Sequence, residues 1–126
     1  MRFDVVIIGA GPAGLSCALA LLPAGLAVAV VERQPREALR QPAFDGREIA
    51  LTHASVATLR RLGAWEAIPS GEVSPLRAAH VLDDGSQRPL ELKAPRGTEA
   101  LAFLVSNHVL RRALLERVES TGQVSP

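Results

Sequence analysis

The 126-residue sequence predicts an α/β fold in which a βαβ unit over residues 3–32 precedes a β-hairpin at about residues 77–92 and a helix at about residues 107–120. Three observations carry that prediction. Two β-branched apolar stretches of strand length, Phe3 to Ile8 and Ala27 to Val31, flank a stretch rich in Ala and Leu. Closely spaced glycines, G-A-G-P-A-G at Gly9 to Gly14, join the first stretch to the middle one. Charge is absent throughout: 27 consecutive residues between Asp4 and Glu32 are uncharged and 20 of them are apolar, so 25 of the 27 charged residues fall in the last 95 positions.

Each element has its own justification. F-D-V-V-I-I is nearly all apolar, the pattern of a strand covered on both faces, so it is expected to lie centrally in a parallel sheet. L-S-C-A-L-A-L-L, from Leu15 to Leu22, favours a short helix that Pro23 and Gly25 end. Cys17, among Leu15, Ala18 and Leu21, reads as a small buried hydrophobe of that helix. A-V-A-V-V forms the second strand, and Glu32 follows at once. A membrane span needs about 20 apolar residues, which the run has. Gly9, Gly11, Pro12, Gly14, Pro23 and Gly25 break it instead, since an interior Pro costs a helix about 3 kcal/mol and each Gly about 1. A signal peptide needs a basic start, where this chain has Asp4.

Gln34 to Gly46 holds three prolines or glycines and leads into an Asp45-Gly46 turn signal. Ser55 to Leu62 reads as a short helix with Val56, Leu59 and Leu62 inward, Arg60 and Arg61 outward, and Gly63 as its stop. Trp65 and Ile68 are expected to pack as core, and Pro69 to Pro75 to form a loop. Arg77 to Leu82 and Gln87 to Leu92 flank Asp84-Gly85, a strong hairpin signal, with His80 as a strand residue. Val109, Leu110, Ala113, Leu114 and Val118 form one helical stripe, with Asn107 or Ser106 as the cap and Gly122 as the stop. Gln123 to Pro126 has the look of a further strand beginning.

Composition excludes several functions. Lys and Arg number 14 against 13 Asp and Glu, and a net charge of +1 gives no footprint for nucleic acid. One cysteine, Cys17, rules out an internal disulfide and a thiolate metal site and fits a reducing compartment. His53, His80 and His108 stand far apart without carboxylates at ligand spacing, so no metal site is expected. His53 shows no partner in the sequence, and His108 lies beside the helix cap.

Strand, glycine turn, helix, strand and acid together make a Rossmann-like dinucleotide-binding unit, far more specific than a bare G-x-G-x-x-G. Gly9 permits the tight turn, Gly11 lets the backbone approach a pyrophosphate, and Gly14 lets helix and strand pack closely. Pro12, which lacks an N–H, suits the first helical turn, and the amides of Ala13 and Gly14 lie at the positive end of the helix dipole. Glu32, 18 residues beyond Gly14, is placed to bond a ribose 2′-hydroxyl, and its charge disfavours a 2′-phosphate and so NADP in this cleft. Arg47, after the Asp45-Gly46 turn, suits a phosphate or flavin carbonyl, or else pairs with Glu48 on the surface. The fingerprint leaves FAD and NAD both open.

F-D-V-V-I-I-G-A-G-P-A-G-L-S at the N-terminus, V-V-E-R-Q-P at Val30 to Pro35, D-G-R-E-I-A-L-T-H at Asp45 to His53 and F-L-V-S-N-H-V-L-R-R-A-L at Phe103 to Leu114 extend the reading. Together these resemble the N-terminal part of the flavin-dependent aromatic hydroxylases of ubiquinone biosynthesis, the UbiH/UbiF/UbiM family, and most nearly its UbiM-type demethoxyubiquinol hydroxylases. The resemblance implies FAD as cofactor, with Gly9, Gly11, Pro12, Ala13 and Gly14 at the pyrophosphate, Glu32 at the adenosine ribose, Arg33 flanking it, and Arg47 reaching toward the flavin side. It further implies NADH or NADPH as transient electron donor and a prenylated quinol precursor and O2 as substrates. Partner proteins of ubiquinone biosynthesis, a cytoplasmic location and peripheral contact with the inner membrane follow from the same resemblance.

Two departures stand against it. Asp84-Gly85-Ser86-Gln87-Arg88 mimics the family's second motif but comes before the helix that motif should follow, so it reads as a hairpin turn. The family's Gly-Asp motif has no counterpart in the 126 residues. The chain is therefore expected to be an N-terminal, incomplete part of the FAD-binding domain, with no catalytic side chain to assign. A non-catalytic dinucleotide-binding module, an FAD- or NAD-dependent oxidoreductase of another kind, and a membrane-inserted peptide remain the alternatives.

Overall fold

The computed structural model describes residues 2–85 and 88–125. The N-terminal unit consists of β1 (Val5–Ile8), α1 (Pro12–Leu21) and β2 (Val28–Val31), with the strands parallel and Val5 to Ile8 in register with Val28 to Val31. In chain order there follow α2 (Arg36–Arg40), β3 (Glu48–Leu51), α3 (His53–Leu62), β4 (Val73–Leu76), β5 (Ala78–Val81), β6 (Leu90–Lys93), β7 (Ala102–Ser106), α4 (Asn107–Thr121) and β8 (Val124–Ser125). Among the described residues these strands form a parallel sheet in the order β1-β2-β8, an antiparallel sheet in the order β3-β7-β4, and the β5-β6 hairpin.

Local chemistry explains the helix ends. α1 begins at Pro12, which has no amide to orphan, and gives way to a 3-10 turn over Leu22–Ala24 that Gly25 closes at φ +70°. α3 begins at His53 and not at Ser55, because the Thr52 side chain caps it by accepting the Ser55 amide at 3.2 Å. Its end at Gly63, φ +73°, and that of α4 at Gly122, φ +63°, use the left-handed conformation that glycine adopts without a Cβ clash. Ser106 is the residue before α4 but makes no side-chain cap, since its hydroxyl donates to Glu48.

The core lies where the helices meet the parallel sheet. Leu15, Ala18 and Leu19 of α1 bury against Val109, Leu110, Ala113, Leu114 and Val118 of α4, with Val56, Leu59 and Leu62 of α3 and Val28 and Val30 of β2 closing the cluster. Ile68 is buried and Trp65 packs against the same cluster, its ring 6.2 Å from Phe103. Cys17, by contrast, is exposed on α1.

Several sequence expectations need correction. β1 is an edge strand of the sheet, with Val6 56% and Ile8 89% exposed, because among the described residues β2 is its only neighbour. Residues 69–75 are no simple loop: a 3-10 turn over Ser70–Glu72 leads into β4, which tolerates Pro75 as the edge of its sheet. The hairpin strands are shorter than expected, Ala78–Val81 against Leu90–Lys93, while the expected positions Ser86 and Gln87 lie outside the described residues. β3, β7 and α2 are elements the sequence reading did not name. His53 has partners after all: its Nε2 is 2.8 Å from the Ala100 carbonyl, and its ring meets Phe103 edge to face.

Candidate functional site

The glycine turn is built from three glycines that the backbone uses in three ways. Gly9 sits at φ +103°, a conformation L side chains rarely adopt, and its amide donates to the Val31 carbonyl at 2.7 Å, tying the turn to the end of β2. A Cβ on Gly14 would stand 2.0 Å from the Gly9 carbonyl oxygen and 3.3 Å from a methyl of Ile7, so no side chain fits between α1 and the turn. Gly11 is the opposite case: a Cβ there would meet nothing within 4 Å. Its open side lines a cleft. The first helical hydrogen bond of α1 runs from the Leu15 amide to the Gly11 carbonyl at 3.0 Å, which leaves the amides of Ala13 and Gly14 ahead of it.

Glu32 faces the turn from the end of β2. One carboxylate oxygen accepts the Ala10 amide at 2.9 Å and the other the Gln34 amide at 3.0 Å. These bonds, that of Ala10 foremost, hold the carboxyl below its ordinary range, so it is ionised at neutral pH. An ionised carboxylate only accepts, and each oxygen keeps a lone pair beyond the bond it already makes. Hydroxyl donors such as those of a ribose are therefore suited to it.

Arg47 reaches the same cleft on a braced turn. Asp45 Oδ2 accepts from Arg47 Nη2 at 2.6 Å, Arg47 Nε at 2.9 Å and Asn107 Nδ2 at 2.8 Å, while Oδ1 accepts the Arg47 amide at 3.1 Å. Asn107 also donates its backbone amide to the Arg47 carbonyl at 2.9 Å, and it is buried at 5% exposure. The guanidinium, with Asn107 second, holds the Asp45 carboxyl far below the usual range. The alternative reading of Arg47, a surface pair with Glu48, does not hold, because its carboxylate partner is Asp45.

Gly11, Pro12, Glu32, Gln34, Arg47, Asn107 and Arg111 line one cleft of about 330 Å³. A second cavity of about 420 Å³ shares Glu32 and Gln34 with it and is otherwise lined largely by apolar side chains, among them Leu15, Leu39, Leu115 and Val118. Of the sequence-predicted residues, Ala13 lines a neighbouring groove against Leu51 and Ser55, and Arg33 is exposed and lines neither cavity. Gln34, Asn107 and Arg111 are the cleft residues the sequence reading did not place there. A signal existed for two of them, since Arg111 lies one helical turn beyond Asn107 and so on the same face of α4.

The arrangement fits a dinucleotide. A turn with room at Gly11 and none at Gly14, free first-turn amides, an ionised acid at the strand end and a braced arginine supply donors for phosphate and an acceptor for ribose. Among the described residues no group of three or more His, Cys, Asp or Glu could hold a metal, and no helix is long and apolar enough to cross a membrane.

Comparison with known proteins agrees with this geometry. A family model described as an FAD binding domain matches residues 2–126. The ubiquinone hydroxylase UbiM of Neisseria meningitidis is 47% identical over 130 residues, covering 99% of this chain and 28% of that protein. The 3-demethoxyubiquinol 3-hydroxylase of Escherichia coli is 33% identical, covering 97% of this chain and 32% of its own length. Among solved structures, the OxyS anhydrotetracycline hydroxylase of Streptomyces rimosus superposes with a TM-score of 0.73 at 28% identity, over 100% of this chain and 24% of that one. The chain thus spans about a third or less of the length of these relatives.

Proposed function

Because the chain belongs to the FAD binding domain family, we propose that it supplies the pyrophosphate- and ribose-binding part of a flavin-dependent aromatic hydroxylase. Its substrate class is a prenylated quinol precursor of ubiquinone. The observation that carries this reading is the convergence of Gly11, Pro12, Glu32 and Arg47 on one cleft at the start of α1. Identity of 47% with a ubiquinone hydroxylase supports the substrate class.

In this reading the first-turn amides bind the pyrophosphate, Arg47 reaches from the cleft wall toward the flavin side of the cofactor, Glu32 accepts from the adenosine ribose, and Arg33 flanks the ribose from its exposed position. Gly9 and Gly14 hold the turn that aims these groups. Bound FAD would supply the redox chemistry, taking electrons from NADH or NADPH for the reduction of O2. This chain's residues bind and orient; no catalytic side chain is assigned among them. Negative charge on Glu32 makes a 2′-phosphate unwelcome at the adenosine ribose, and FAD carries none. The apolar substrate implies a protein on the cytoplasmic side that meets the inner membrane peripherally.

Incubation of purified chain with FAD, followed by removal of free flavin on a desalting column, tests the reading. Protein eluting with bound flavin absorbance in about one-to-one ratio is the expected result. Folded protein that elutes without flavin refutes binding by this chain.

A further inference from the structure

Positive charge in the cleft is unevenly available. Arg47 presents its guanidinium to Asp45 through both Nε and Nη2, so much of its charge is already answered by a carboxylate. Glu32 adds a further negative charge to the cleft wall. A pyrophosphate diester brings one more on each phosphate. Helix-terminus amides offset only about half a charge, so an incoming dinucleotide needs another cation.

Arg111 is placed to be that cation. It lines the same cleft from α4, one turn beyond Asn107. Among the described residues its hydrogen-bond partner is neutral: Nη2 donates to the Gln34 side-chain carbonyl at 3.0 Å. Its field reaches Glu32, whose carboxyl it helps hold ionised. Exchanging a neutral amide oxygen for a phosphate oxygen pairs the guanidinium with an anion that its planar fork can grip with two parallel bonds, so the exchange is favourable. Gln34 then acts as a placeholder that keeps the long side chain over the cleft.

We propose that Arg111 is a phosphate-contacting residue of the dinucleotide cleft, held ready by Gln34, and this rests on the reading of the chain as an FAD-binding unit. Arg47, braced by Asp45 and Asn107, is the fixed wall; Arg111 is the cation with charge to give.

Titration of the full chain with FAD, followed by flavin fluorescence at low and high salt, tests it on wild type, R111M and R111K, with circular dichroism as the check of folding. R111M is expected to weaken FAD about tenfold or more, as loss of a hydrogen bond to a charged group does, and to flatten the salt dependence. R111K, which keeps the charge, should keep most of the salt dependence. Folded R111M with wild-type affinity and wild-type salt dependence overturns the role of Arg111 while leaving FAD binding intact. Folded wild type that binds no FAD overturns both.

Discussion

Three glycines within six residues carry three different demands, and substitution separates them. Gly14→Ala places a methyl 2.0 Å from the Gly9 carbonyl, which α1 can relieve only by lifting off the turn. A loss of about 3 kcal/mol or more in urea unfolding is expected. Gly11→Ala meets nothing within 4 Å and sits at φ −78°, so stability should stay within about 0.5 kcal/mol. The same methyl stands on the cleft wall, and FAD affinity is expected to fall; unchanged affinity would mean that the cofactor backbone does not approach there. Asp45 and Glu32 make stability sensitive to acid. Both carboxyls are depressed in the folded chain, Asp45 chiefly by Arg47 and Glu32 chiefly by the Ala10 amide. Their stabilisation is complete above the ordinary range of about pH 4 to 4.5 and is lost as pH falls toward the folded values. Asp45→Asn should therefore show a shallower loss of stability on acidification than the wild-type chain.

At the scale of elements, the readable parts are those whose signals are local. α1 and its glycine turn, the hairpin and α4 each announce themselves within a few residues, through Gly9 to Gly14, Asp84-Gly85 and the Val109 to Val118 stripe. β3 and β7 do not. Four or five residues each, they gain their stability from pairing Glu48 to Leu51 with Phe103 to Ser106 across more than fifty positions, and no local pattern records such a partner. The brace on Arg47 was hidden for the same reason, because Asn107 reaches Asp45 only once β7 delivers it to the start of α4. Thr52 shows how a cap shifts a boundary. Thr52→Ala is expected to cost about 1 kcal/mol, measured by thermal or urea unfolding, whereas Ser55→Ala removes only a hydroxyl that Thr52 shares at 3.1 Å and should cost less. In the core, Leu114→Ala at a fully buried position should cost about 2–5 kcal/mol.

For the whole molecule, the charge-free run that could pass for a membrane span is instead a strand, a glycine turn, a helix and a second strand. Its glycines and prolines break the helix a span would need, and those from Gly9 to Gly14 shape the candidate cofactor site. Val6 and Ile8 on β1 and Val31 on β2 remain exposed, and β1 carries a free sheet edge among the described residues. Such an edge invites association, and Ile8→Thr is expected to reduce light scattering of concentrated protein without loss of FAD affinity. The cofactor site itself is tested most directly by a 15N heteronuclear correlation titration of the folded chain with FAD. The largest shifts should fall on Gly11, Ala13, Gly14 and Leu15, on Glu32 to Gln34, and on Arg47 and Asn107. A well-dispersed spectrum that saturating FAD leaves unchanged, or perturbs only at the Ala78 to Lys93 hairpin, would contradict a dinucleotide site at the start of α1.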